Sequence, residues 1–164
     1  MNPTLFENFD KHCSKYLTDS IDEILRTTKG QTPCSIGFIT TDDFYGFYLC
    51  WNNTTDIDSY YNWQQALYPE FLYQPVVEIV DSCKTIDFCK KSDEKWAFAQ
   101  ALLTVLEKNI KQLPDEIFHN NHCQREDILF FATMSDGDYI QELYTTSVPL
   151  FNSSKTIETY GLKL

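Results

Sequence analysis

The sequence predicts an α+β fold in which an antiparallel sheet is flanked by two long amphipathic helices and some shorter ones. Three observations predict it. Apolar residues recur at helical spacing near the N-terminus and again between residues 92 and 113. Two aromatic- and β-branched-rich runs, Cys34–Thr40 and Phe44–Trp51, lie between them on either side of a polar turn. A further apolar run, Asp127–Met134, follows the second helix. With 164 residues and no low-complexity linker or internal repeat, the chain reads as a single domain over 1–164.

The first helix is expected from about Pro3 to Thr27. Asn2 suits the cap and Pro3 the first helical position. Leu5, Phe6, Phe9, Cys13, Tyr16, Leu17, Ile21, Ile24 and Leu25 fall on one face, and Gly30 is placed to end the element. The two strands come next. Thr41-Asp42-Asp43 is turn chemistry, so they pair as an antiparallel hairpin. The second is bulky on both faces, which places it inside the sheet.

Asn52–Asp58 is a polar loop, and Asp58 is set to cap a short helix running to about Leu67. Tyr68–Pro75 shows no period. Val76–Cys83 fits helix or strand equally, as short apolar runs do. The second long helix starts at the Ser92 cap, with Asp93 and Glu94 at its positive end. It carries a stripe of Trp96, Ala99, Leu102, Leu103, Leu106 and Ile110, and stops at Pro114. Asp115–Glu126 is expected as a loop, Ser135–Asp138 as a turn and Tyr139–Thr146 as a short helix.

The formal net charge is −11. Phosphate contacts need Lys and Arg, so nucleic acid and anionic membrane surfaces are poor ligands, whereas a basic protein would be attracted. No apolar run approaches the roughly 20 residues of a membrane span. Met1-Asn2-Pro3-Thr4 does not open a secretory signal, so the expected compartment is the cytoplasm. The six cysteines are irregularly spaced and read as mostly reduced, buried apolar residues.

Few patterns carry chemistry. His119, His122 and Cys123 are zinc-ligand types close together, yet a structural zinc site takes four ligands with paired spacings. His12 and Cys13 are adjacent, but neighbours on a helix point about 100° apart, so they do not form a base–nucleophile pair. Asp136-Gly137-Asp138 lacks the remaining ligands of a calcium loop and reads as a turn. With five glycines, the chain has too few for most phosphate cradles. No cofactor and no catalytic residue is implied.

The stretch Gln31–Ser82 is more informative, because it contains no Lys or Arg. It holds seven acids: Asp42, Asp43, Asp56, Asp58, Glu70, Glu78 and Asp81. It also holds twelve of the 25 aromatic residues, so carboxylates and rings are concentrated together. Aromatics rimmed by carboxylates suit the capture of an Arg- or Lys-rich surface. A solvated acidic face above an aromatic core would have the same composition. The binding residues expected on the first reading are Asp42, Asp43, Asp56, Asp58, Tyr60, Tyr61, Trp63 and Glu70.

The order of elements adds a resemblance. An N-terminal helix leads to the strand Phe44-Tyr45-Gly46-Phe47-Tyr48-Leu49, then Asn53-Thr54-Thr55, a segment with Trp63, a long helix, a strand ending near Asp136, and Ser147-Val148-Pro149-Leu150-Phe151-Asn152. This resembles the bacterial domain-of-unknown-function 4303 family over nearly the whole chain. The resemblance implies an immunity-type protein that binds and neutralises a partner toxin and uses no catalytic residues. The alternatives are a metal-dependent or hydrolytic enzyme using His119, His122 and Cys123, and an adaptor that self-associates through exposed aromatics.

Overall fold

Helical and strand periods along the chain resolve into six α-helices and a four-stranded sheet in the computed structural model, which describes residues 3–28, 33–53 and 65–162. A 3-10 turn over Pro3–Phe6 leads into α1 (Glu7–Thr27). Strands β1 (Ser35–Thr40), β2 (Phe47–Asn52) and the short β3 (Ala66–Leu67) follow. Then come α2 (Glu70–Ser82), α3 (Asp93–Lys111), α4 (Asp115–Asn120), β4 (Leu129–Met134), α5 (Ile140–Phe151) and α6 (Ser154–Thr159).

The fold is α+β, as the sequence predicts. The strand order is β3-β2-β1-β4, so β2 is an interior strand. β1 pairs antiparallel with β2 through Ile36↔Trp51 and Phe38↔Leu49, and β2 pairs antiparallel with β3. β4 runs parallel to β1, with Ile36↔Phe130 and Thr40↔Met134 in register. The sheet is therefore mostly antiparallel with one parallel pair. Such a pair joins segments distant in the chain, which local sequence pattern does not report.

Both long helices form where their apolar stripes lie. In α1, Phe9, Cys13, Leu17, Ile21, Ile24 and Leu25 are buried. In α3, the Ser92 side chain accepts from the Lys95 N–H at the cap, and Phe98, Ala99, Leu102, Leu103, Leu106 and Ile110 are buried. Phe98 is fully buried where the stripe was expected to run through Trp96, which is half-buried. Asp10 of α1 accepts from Lys108 (2.5 Å) and Asn109 (2.8 Å) of α3 and ties the two helices. One face of the sheet, with Ile36, Phe38 and Phe130, joins these helices in the main core. The other face presents Ile39, Cys50, Leu129 and Phe131, packed by Val148 of α5 and Ile157 of α6.

Other boundaries differ from expectation for local reasons. β2 begins at Phe47 because Phe44 (φ 58°) and Gly46 (φ 102°) adopt left-handed backbone. The Thr41–Asp43 turn is present, with the Phe44 N–H donating to the Thr41 carbonyl at 3.0 Å. Ala66–Leu67, expected in a short helix, is the edge strand β3; Asp58 and the rest of that segment lie outside the described residues. The Asn2 cap and the Gly30 stop also lie outside them. Tyr68–Pro75 is not irregular: α2 starts at Glu70 and continues through Pro75 to Ser82, which settles Val76–Ser82 as helix. Proline inside a helix forfeits one backbone bond, and burial of Phe71, Leu72, Val76 and Ile79 offsets it. α5 likewise continues through Pro149 to Phe151. The expected 115–126 loop contains α4 and a 3-10 turn, Arg125–Asp127. Arg125 bonds the Ile110 and Leu113 carbonyls, which lie at the end of α3 and just beyond it, where backbone acceptors lack helical partners.

The outer edge of β4 is closed by side chains. The Phe130 N–H donates to Asn152 Oδ1 (2.9 Å), and Asn152 Nδ2 donates to the Phe130 carbonyl (2.7 Å). Ser147 Oγ accepts from the Ala132 N–H (2.7 Å) and donates to its carbonyl (3.3 Å). The two polar residues of the Ser147–Asn152 segment thus replace a fifth strand. Buried backbone groups left without partners cost about 1–3 kcal/mol each. Asn152→Ala should therefore lower unfolding free energy by about 2–3 kcal/mol in urea denaturation. A change within about 0.5 kcal/mol would show that the Phe130 groups find other partners.

Candidate functional site

Because β1 and β4 are parallel, their C-terminal ends emerge side by side at one end of the sheet. The Ser135 N–H donates to the Thr40 carbonyl at 2.8 Å and carries the pairing to the last residue. The following loops, 41–46 and 135–139, meet there. In sheets with parallel strands, ligands commonly bind at this end.

A cleft of about 990 Å³ opens at this place. Asp42 and Asp43 come from the first loop, Asp136 from the second and Glu70 from the start of α2. The ring-bearing lining residues are Tyr45, Phe47, Tyr48, Tyr68, Tyr73 and Phe88. Tyr45 is 39% exposed, Tyr68 74% and Tyr73 52%, so these rings face solvent and not the core. Tyr68 stacks on Tyr48 with ring centroids 5.1 Å apart. Among the described residues that line the cleft, none is Lys or Arg.

The backbone is shaped to allow this. A non-glycine residue at positive φ is uncommon, and a bulky one is strained. Phe44 is held in that state by full burial against Phe98 and Tyr139, at 6.1 and 6.3 Å between rings. Gly46 must be glycine, because a Cβ would lie 2.7 Å from the Tyr73 Cα and φ is 102°. This approach brings the β1–β2 loop against α2.

At the floor of the cleft sits an ion pair with one buried partner. The Lys95 side chain is 0% exposed and its Nζ donates to Asp42 Oδ1 at 3.0 Å, while Asp42 is 37% exposed. The Lys95 ammonium also lies 5.6 Å from the Tyr139 ring centroid and 6.0 Å from that of Phe44. Gly137 packs directly on the Asp42 side chain at φ 105°. Tyr139 joins the second loop to the α3 cap, its hydroxyl donating to the Ser92 carbonyl (2.8 Å) and accepting from the Ser92 N–H (2.9 Å). Lys91 adds bonds to the Asp138 carbonyl (2.9 Å) and to Glu142 (2.8 Å), and the Lys91 ammonium holds the Glu142 carboxyl below its usual range. One buried cation thus draws both loops onto the start of α3.

Of the binding residues expected from the sequence, Asp42, Asp43 and Glu70 come together at this cleft. Asp56, Asp58, Tyr60, Tyr61 and Trp63 lie outside the described residues. Asp136, Tyr45, Tyr68, Tyr73 and Phe88 also line the cleft and are not among the residues expected from the sequence. Asp136 stands far from the stretch in sequence and reads locally as a turn, whereas Tyr68 and Tyr73 lie inside it. Asp42 lines the cleft and also faces inward: its Oδ1 accepts from the buried Lys95 Nζ, so part of its charge is met within the chain.

The histidine–cysteine loop does not assemble. His119 and His122 are exposed, while Cys123 is buried with its Sγ 3.5 Å from the Phe118 carbonyl. Burial pushes the Cys123 thiol up, and the Asp127 carboxylate adds to the shift, which disfavours the thiolate a metal would need. Among the described residues, no group of three His, Cys, Asp or Glu could hold a metal ion. All six cysteines are free; burial pushes Cys13 up and Cys50 up to about 12. Cys13 lies on the buried face of α1, and Cys89 is exposed at the cleft. No helix among the described residues is long and apolar enough to cross a membrane. No family model, curated protein or solved structure matches the chain.

The pair makes an asymmetric prediction. Asp42→Asn leaves a buried ammonium without its counter-charge and should cost about 2–3 kcal/mol, less than a wholly buried pair because Asp42 reaches water. Lys95→Met removes the buried charge and should cost under about 1 kcal/mol. Chemical denaturation of both variants checks the order; a larger loss for Lys95→Met would contradict it.

Proposed function

We propose that the chain is a protein-binding module of the immunity type, which neutralises a partner toxin by receiving its basic surface in the acidic aromatic cleft. The observation that carries the reading is the lining of that cleft. Asp43, Glu70 and Asp136, with the Lys95-paired Asp42, and a set of solvent-facing rings surround it, and no described lining residue is a cation. Carboxylates supply charge complementarity and association rate, while tyrosine rings add contact area and cation–π attraction. The net charge of −11 favours the same class of partner at long range.

The kind of partner follows from the sequence resemblance to the domain-of-unknown-function 4303 family. As no family model matches the chain, the cleft carries more of the reading than the resemblance. Cytoplasmic action belongs to the same proposal: the free cysteines are compatible with a reducing compartment.

The experiment is co-purification with the product of the neighbouring gene, followed by titration at several salt concentrations. A complex that weakens steeply with salt is expected. Asp43→Asn combined with Glu70→Gln should weaken it about 10-fold while the variant stays folded, with only a small loss of thermal stability because Glu70 is the first-turn acid of α2. An undiminished complex in the double variant, or no complex at low salt, would contradict the proposal.

A further inference from the structure

The acidic surface continues past α2. Pro69 and Glu70 line the first cleft and also a second one of about 460 Å³ between α1 and α2. Its carboxylates are Asp19 of α1 and Glu70 and Glu78 of α2, and Tyr16 lines it beside Phe71, 5.8 Å between rings. Among the described residues lining it there is no Lys or Arg. The Lys15 ammonium stands 4.6 Å from the Tyr16 ring centroid, so one cation of the chain itself already meets that ring. The second cleft is the weaker of the two seats.

Between the clefts runs the outer face of α2. Residues three and four apart share a helix face. Glu70, Tyr73, Gln74, Glu78 and Asp81 follow that spacing and are all exposed. The helix contains no Lys or Arg. Acid and aromatic groups thus cover a ridge with an acidic cleft along either flank.

We infer that α2 is a ridge straddled by a basic protein surface, which seats one guanidinium or ammonium group in each cleft. The inference rests on the reading of the first cleft as a cation-receiving site and extends it to a two-seat interface. Charge complementarity selects the occupant: three carboxylates line the second cleft, and the first has Asp43, Glu70 and Asp136 besides the Lys95-paired Asp42, with Glu70 common to both. A neutral or acidic partner would leave these groups desolvated without compensation.

The test uses N-acetyl-arginine amide as a single-cation probe, two such groups joined by a flexible Gly/Ser linker as a double probe, and the citrulline analogue as neutral control. Amide chemical shifts are followed by NMR at low ionic strength. The single probe should shift two separate sets of signals, one at 41–48 and 136, the other at 12–20 and 74–78. The double probe should bind at least ~10-fold more tightly, through effective concentration. Glu78→Lys, at an exposed position, should abolish that gain and leave the first cleft's response intact. The citrulline control should shift neither set.

A response confined to the first cleft would overturn the two-seat interface and leave the proposed function standing. A double probe no tighter than the single one, or a gain that survives Glu78→Lys, would also overturn it. A response in neither cleft would count against both. Citrulline shifts equal to those of arginine would show that charge does not select the occupant, and would overturn the inference as well.

Discussion

The Lys95 ammonium has no exposure to water, and that single fact constrains the end of the molecule where the cleft lies. A charge so placed needs a counter-charge, which Asp42 supplies from the β1–β2 loop. Asp42 in turn can sit there only because Gly137, from the loop after β4, leaves room against it. Tyr139 and Phe44 complete the enclosure with their rings. Two loops and a helix start are fixed by one ion pair, so the cleft is shaped before any partner arrives. A preformed site loses less conformational entropy on binding.

The sheet explains why these loops are neighbours at all. Parallel pairing of β1 and β4 sends both chains out of the same end, so Asp42, Asp43 and Asp136 converge although about ninety residues separate them in sequence. That pairing makes β4 an edge strand, and Ser147 and Asn152 satisfy its outward backbone groups. An edge closed by side chains resists pairing with another chain.

How much of this was legible depended on whether the signal was local. α1, α3, β1 and the interior position of β2 followed from periodicity and bulk, because each buries a regular face. α2 and the full length of α5 did not, since Pro75 and Pro149 interrupt helical patterns that tertiary burial sustains. The cation-free stretch pointed to Asp42, Asp43 and Glu70, but not to Asp136, which only the β1–β4 pairing brings near. Lys95 did leave a trace: it stands three and four residues before Phe98 and Ala99, on the buried face of α3. A cation at an apolar position of a helix signals a buried partner, which composition alone does not name.

The central claim is that a cleft held in shape by the Lys95–Asp42 pair receives a basic partner. Hydrogen–deuterium exchange of the chain, alone and mixed with the product of the neighbouring gene, tests it most directly. The account predicts slow exchange at Phe44 and Ser135 in the free protein, whose amides are bonded to the Thr41 and Thr40 carbonyls. It predicts added protection on binding at 45–48 and 68–74. Fast exchange of the loop amides in the free protein, or added protection confined to other surfaces such as α4 and α6, would contradict it.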